Sequence, residues 1–451
     1  MNTKILILGA GPCGLGAAYH LEKLGQTDWQ LFEKESYVGG LSASFVDPAG
    51  FTWDVGGHVL FSHYDYFDRA VADALGEAYH EHLRESWVRI LETWVPYPFQ
   101  NNVRYLPDHA LKECVEGLKN LAGAPDRALH FRDWMDAVFG AGIVKHFMEP
   151  YNRKVWGVPL SQMSKQWIAE RVSVVDLARI ERNIAEKRDD LSWGPNNTFK
   201  FPKAGGTGAI YEGISAKFRD RIHLQHAMVS VDTDLKQVSF ANGRVENYDI
   251  LINTSPLDLL VAACAAPEQL HEAARDLVHN SGLIVGLGIE APRNDTKCWM
   301  YFPESNSPFY RVTNFHNYAS ANVPGGATER FSALMCETTY SQHKPEDKAR
   351  IVETTELGLV NTGLLSIPER GKVVSRYLID IPYSYPVPTL GRDRALAAIQ
   401  PYLAERGIYS RGRFGAWRYE VGNMDHSFMQ GVEVVERILA GGVEPTWNGK
   451  G

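Results

Sequence analysis

The sequence predicts a mixed α/β fold: a parallel-sheet domain of the doubly wound type, an inserted helical bundle and a separate antiparallel sheet. Three observations predict it. A short apolar run, "KILIL" (4–8), leads into a glycine-rich turn and helical stretch, "GAGPCGLGAAYHLEKLG", and then into a second strand, "WQLFEKE"; this is a βαβ unit within about 30 residues. Residues 108–191 carry helical periodicity and many charges, with no clear strand. Residues 283–390 alternate β-rich runs, such as "LIVGLGIE" and "SALMCETT", with Pro/Gly/Asn turns, the pattern of an antiparallel sheet.

Taken in order, residues 1–85 open the parallel-sheet domain and 86–105 add strands to the second sheet. Residues 106–195 form the helical subdomain, 196–270 return to the first domain, 271–410 form the antiparallel sheet, and 411–451 close the first domain. In 94–102, "WVPYPFQNN", two prolines fix φ and remove amide donors, so the stretch reads as an extended, stiff segment or edge strand. Alternation then sends Tyr97 and Phe99 to one side, as a corner of the core or as a clamp for something flat. Residues 221–256 read as hairpin strands turning at Asn242-Gly243, followed by a buried strand, "DILINTSP". The last segment, "GNMDHSFMQGVEVVERILAGG", is an amphipathic helix with a glycine stop.

The bulk numbers exclude several classes. A chain of 451 residues with 44% apolar and 22% charged residues is long enough for two or three ordinary cores. A net charge of −8 with a pI near 6.0 argues against a nucleic-acid partner. Cys13, Cys114, Cys264, Cys298 and Cys336 are scattered with no C-x-x-C pair, which argues against a zinc site or disulfide framework and for a reducing compartment. No apolar run approaches the ~18 residues of a membrane span. The N-terminal apolar run goes straight into the glycine turn rather than into a cleavage site. A cytoplasmic enzyme with no metal and no membrane span is the expectation.

Gly9-x-Gly11-x-x-Gly14 opens a helix directly after a strand, and Glu33 ends the next strand. The glycines permit a tight turn and close approach of a pyrophosphate to a helix N-terminus, and an acidic side chain at that distance accepts from ribose hydroxyls. Gly16 extends the motif and Gly39-Gly40 follow shortly after Glu33. The combination is similar to FAD-binding proteins of the amine-oxidase type. The architecture is therefore read as a Rossmann-like FAD-binding domain with an inserted helical bundle and an antiparallel β-sheet substrate domain.

Six further stretches occur in order: "FTWDVGGHVLFSHYDYFD" (51–68), "WVPYPFQNN" (94–102), "PYNRKVWGVP" (150–159), "FPKAGGTG" (201–208), "CWMYFPESNSPFYRVT" (298–313) and "SRGRFGAWRYEVGNMDHSFMQG" (410–431). Together they resemble the UDP-galactopyranose mutase family, of the eukaryotic type, over essentially the whole chain. The resemblance implies a flavin-dependent isomerisation between UDP-galactopyranose and UDP-galactofuranose. In that chemistry N5 of reduced FAD attacks the anomeric carbon, UDP leaves, and the opened sugar is held as a flavin iminium. NADPH or NADH is the implied reductant, sharing the substrate cleft.

The resemblance also implies residue roles. Arg171 and Arg311 are the diphosphate arginines, and Tyr301, Tyr385 and Tyr419 donate hydroxyls to phosphate. Asn196 contacts the sugar, while Asn152 and Trp156 sit at the ribose and uridine. Tyr97, Phe99 and Gln100 become a uracil clamp with two faces and an amide. Gly57 and His58 lie against the flavin, and Arg413, Gly422, Asn423 and Met424 approach it from the start of the last helix. Met424 stands where the family pattern commonly shows glutamine. Rival readings keep the fold: the same ring contraction on another nucleotide-linked sugar, or an FAD-dependent oxidase. Oligomeric state is not legible.

Overall fold

The computed structural model describes residues 3–121, 123–168, 172–191 and 198–449. The first sheet has five parallel strands in the order Ile408–Ser410, Ile250–Asn253, Ile5–Leu8, Trp29–Phe32 and Ile222–His223. Ile5, Leu6 and Ile7 are fully buried, as expected of a central parallel strand covered on both faces. Helix Pro12–Lys23 starts on Gly11, takes proline at its first position where no amide donor is needed, and packs against helix Met424–Ala440. Chain start and chain end therefore build one unit. A three-stranded antiparallel sheet, Met228–Asp232, Gln237–Phe240 and Val245–Asn247, adjoins it. Gly243 (φ 86°) turns its second hairpin, as the Asn-Gly signal requires.

The second sheet has seven strands in the order Val373–Pro386, His279–Ile289, Ser332–Tyr340, Arg311–Asn314, Trp299–Tyr301, Ser86–Ile90 and Thr93–Pro96. Its pairings are antiparallel except where Trp299–Tyr301 runs parallel to Ser86–Ile90. On one face Leu283, Val285 and Leu287 pack with Ile351 and Leu359 of helix Ile351–Asn361. On the other, Ile284, Trp299, Tyr301 and Met335 join a core that also holds Trp53 and Phe51, together with Phe131 and Met135 of the helical region. That region comprises helices Asp108–Lys119, Phe131–Ile143, Glu149–Trp156 and Leu177–Ala185, with a π-turn at Val144–Met148.

The expected extended run through residues 94–102 is shorter. The strand ends at Pro96, the Tyr97–Pro98 peptide is cis, and Phe99–Asn101 is a 3₁₀ turn. Alternation stops there, so Tyr97 and Phe99 do not share a side: Tyr97 is half-buried, and Phe99 is fully buried. Among the described residues no helix is long and apolar enough to cross a membrane.

Candidate active site

The glycine turn has the form of a dinucleotide cradle. Gly9 (φ 103°) turns the chain out of the first strand, and a Cβ on Gly14 would lie 1.9 Å from the Gly9 carbonyl oxygen, so helix and strand approach this closely only with glycine. A Cβ on Gly11 would meet no protein atom nearer than the Gly40 Cα at 4.0 Å, which leaves the helix N-terminus open to an approaching ligand. The Gly39 amide donates to the Ala10 carbonyl at 2.8 Å and draws the Gly39-Gly40 turn onto the same edge. Glu33 accepts from the Ala10 amide at 2.7 Å and the Glu35 amide at 2.9 Å. Burial pushes its carboxyl up, and those two amides oppose the shift. Open backbone, a buried acidic acceptor and a helix N-terminus fit the adenosine diphosphate half of FAD.

A cleft against the seven-stranded sheet is lined among others by Val55, Gly56, His58, Tyr310, Arg311, Glu337, Tyr385 and Arg413. At Gly57 a Cβ would lie 2.9 Å from Glu337 Oε1, 3.0 Å from Thr313 Oγ1 and 3.1 Å from Trp299 Nε1. His58 Nδ1, Trp299 Nε1 and Thr313 Oγ1 are buried without a hydrogen-bond partner among the described residues. Orphaned polar atoms beside a bare backbone strip fit a flat, heteroatom-rich ring such as a flavin. Burial, with the Arg413 and Arg311 charges, lowers His58 to about 4, so its imidazole is neutral near pH 7. Arg413 donates through Nε and Nη2 to the Ser384 carbonyl, both at 3.2 Å, and through Nη1 to that of Gly422 at 3.0 Å. Arg413, which lines the cleft, is thus tied to Gly422, next to the N-cap Asn423 of the last helix. Met424 instead packs into an apolar cluster with Leu60 and Phe428.

Arg311 lies opposite Tyr301 on one side and Glu337 on the other in the strand register. Its Nε and Nη2 donate to the two Glu337 oxygens at 2.5 and 2.7 Å. Tyr310 donates to Glu337 Oε2 at 3.0 Å and lies 3.3 Å from the Tyr385 hydroxyl. Aromatic rings surround this charge pair. Tyr97 packs on Tyr301 at 5.0 Å, Trp156 on Tyr419 at 4.8 Å and on Tyr385 at 5.9 Å, and Tyr151 on Tyr301 at 5.5 Å.

One expected contact, the Phe99 face, is not available, and two other expected side chains are held by the chain itself. Phe99 stacks on Phe147 at 4.6 Å and is fully covered, so it offers no open face for a clamp. Gln100 donates to the Ser173 carbonyl at 2.7 Å, while its Oε1 is buried without a partner among the described residues. Asn152 donates to the Met148 carbonyl at 2.7 Å, a bond within its own stretch of helix. Arg171 and Asn196 lie outside the described residues. Glu337 and Tyr310 are further cleft residues that no expectation named. The signal for Glu337 was available: it is one acid in the otherwise uncharged strand "SALMCETTY".

The model of the family described as flavin containing amine oxidoreductase matches residues 12–439. A crystal structure of reduced UDP-galactopyranose mutase is similar at 44% identity and a TM-score of 0.96, covering 100% of this chain and 97% of that one. A double mutant of putrescine oxidase (15% identity, TM-score 0.67, 97% and 99% covered) and a CLA-producing fatty acid isomerase from P. acnes (13%, 0.62, 97% and 99%) share the fold.

Proposed function

This chain belongs to the UDP-galactopyranose mutase family within the flavin-containing amine oxidoreductases, and we propose that it is the FAD-dependent isomerase that interconverts UDP-galactopyranose and UDP-galactofuranose. One observation carries the reading: Arg311 and Tyr385 line the same cleft as Gly56, His58 and Arg413, so anion-binding groups face the strip that fits a flavin. The chemistry the bound, reduced cofactor supplies is a nucleophilic N5 for the anomeric carbon, so that UDP leaves and the ring recloses through another hydroxyl without net redox change. NADPH or NADH would reduce it from the same cleft.

The protein's own part is binding and charge control. Arg311 and the hydroxyls of Tyr301, Tyr385 and Tyr419 would neutralise and orient the diphosphate, most strongly as UDP departs and its charge grows. Tyr97 would cover the uracil, with the Gln100 Oε1 as acceptor for its N–H edge and Trp156 and Asn152 bordering the nucleoside. Neutral His58 would avoid adding positive charge beside the reacting atoms and would hold its orphaned nitrogen for a cofactor polar atom. Arg171 and Asn196 remain candidates for the second phosphate contact and the sugar.

The test is direct. FAD-loaded protein, reduced with dithionite, is incubated with UDP-galactofuranose and the products are separated by chromatography. UDP-galactopyranose should form with the reduced protein and not with the oxidised protein held without reductant. No conversion by fully loaded, reduced protein overturns the proposal.

A further inference from the structure

The acid at the centre of the cleft has no part in the reaction as described above. Glu337 is 3% exposed, and its carboxylate accepts from Gly57 N at 3.1 Å, Tyr310 Oη at 3.0 Å, Arg311 Nε at 2.5 Å and Arg311 Nη2 at 2.7 Å. We propose that Glu337 is a positioning residue that holds Arg311 ready as a countercharge, shares it with the incoming diphosphate, and so moderates the affinity for UDP. This rests on the mutase reading and deepens it.

A guanidinium in a covered cleft needs a partner when no phosphate is bound, since an unpaired buried charge is strongly destabilising. Glu337 supplies that partner through one edge of the planar fork, and an arginine has five N–H donors. The remaining donors can meet a phosphate without breaking the pair. The carboxylate stays charged: burial pushes it up, but the Arg311 charge and the Arg311 and Tyr310 hydrogen bonds hold it below the usual carboxylate range. Its negative charge therefore remains beside any diphosphate that Arg311 binds, and weakens that binding. A reversible isomerase benefits from this. UDP must be held after it leaves and must still return as a nucleophile, and an uncompensated arginine would bind the departed UDP too tightly. The second link is to the backbone. Glu337 Oε1 takes both the Gly57 amide and Arg311 Nε, so a shift of Arg311 toward phosphate and the position of the flavin-side strip act on one atom.

A pair that only braces the sheet makes a different prediction. Arg311 and Glu337 are cross-strand neighbours, so a bracing role is available to them, but both also line the cleft. The experiment is UDP titration of the oxidised, FAD-loaded protein by calorimetry, alongside kcat, KM and Tm on the same preparations. Glu337→Gln keeps the shape and removes the charge. It should bind UDP about 3- to 10-fold more tightly, the size of a unit charge several ångströms away at high effective dielectric, with KM and kcat both lowered. UDP affinity that is unchanged or weaker in a folded Glu337→Gln protein overturns the proposal. Wild-type protein that binds no UDP overturns the mutase reading instead, and this inference with it. If Glu337→Gln does not fold, Arg311→Lys is compared with the double variant Arg311→Lys/Glu337→Gln. The lysine keeps a positive charge beside Glu337 and so keeps the carboxylate ionised, so the double variant should bind UDP more tightly; equal affinities overturn the proposal.

Discussion

Tyr97 and Phe99 are two positions apart and stand in different surroundings. Tyr97 is half-buried beside Tyr301, and burial, with Tyr301 next to it, raises its hydroxyl far above the usual tyrosine value. Phe99 fills the core between the sheet and the helical region and stacks on Phe147. Tyr97→Ala should therefore weaken UDP binding by ~1–3 kcal/mol, by analogy with base stacking on aromatics, and leave Tm nearly unchanged. Phe99→Ala should cost ~3–5 kcal/mol of stability, the usual cost of emptying a buried aromatic site, with a smaller effect on UDP affinity per folded molecule. Calorimetric UDP titration and thermal melts of both variants separate the two roles; equal losses of UDP affinity at unchanged Tm would restore the two-faced clamp. The aromatic types and their polar neighbours were legible in "WVPYPFQNN", but their directions were not, because the 3₁₀ turn after Pro98 breaks the alternation on which the expectation rested.

At the scale of elements, the strip proposed to face the flavin is anchored by a buried acid. Asp54 ends strand Thr52–Asp54 and is fully buried. It accepts from Ser44 Oγ at 2.5 Å, from the Thr207 amide at 3.2 Å and from the Thr207 hydroxyl, and so ties the strand to the turn that opens helix Gly208–Ser215. Burial raises its carboxyl to about 7 against these bonds, which pull it down. The sign of the pH effect follows. Between about pH 4, where an unfolded aspartate titrates, and about 7, the folded protein keeps a proton that the unfolded chain has lost, so this group favours folding at the acid end. That contribution disappears as pH rises through 7. Relative to wild type, Asp54→Asn should gain stability progressively between about pH 4 and 7, by a few kcal/mol over the window. Melting both proteins across that range tests it: a Tm difference independent of pH would mean that Asp54 titrates as an ordinary carboxylate. The strands themselves were legible from short apolar runs bounded by turns, whereas the bond from Asp54 to Thr207, 153 positions away, has no local signature.

At the scale of the whole molecule, the proposed cofactor site is assembled from distant parts of the chain. The glycine turn, Glu33, the strip at Gly56–His58, Arg413 and the start of helix Met424–Ala440 converge because strand Ile408–Ser410 is the edge of the same sheet that holds Ile5–Leu8. A ligand that binds only this assembled form stabilises the fold by mass action, by ~2.7 kcal/mol at a hundredfold excess over its Kd. Protein stripped of FAD should melt several degrees lower than the loaded form, and added FAD should restore the difference. A stripped protein that stays folded and whose Tm ignores FAD would contradict the cradle. The sequence by itself determined the βαβ unit, the glycine turn after its first strand, the helical stretch and the strands of the second sheet, because each is written in spacing or alternation within a few tens of residues. Only the tertiary structure decided that Phe99 and Met424 enter apolar clusters and that Arg311 meets Glu337. Those outcomes depend on where a turn breaks a strand and on the register between strands, and the Arg311–Glu337 pair, 26 positions apart, exists only because the register sets those two residues opposite each other.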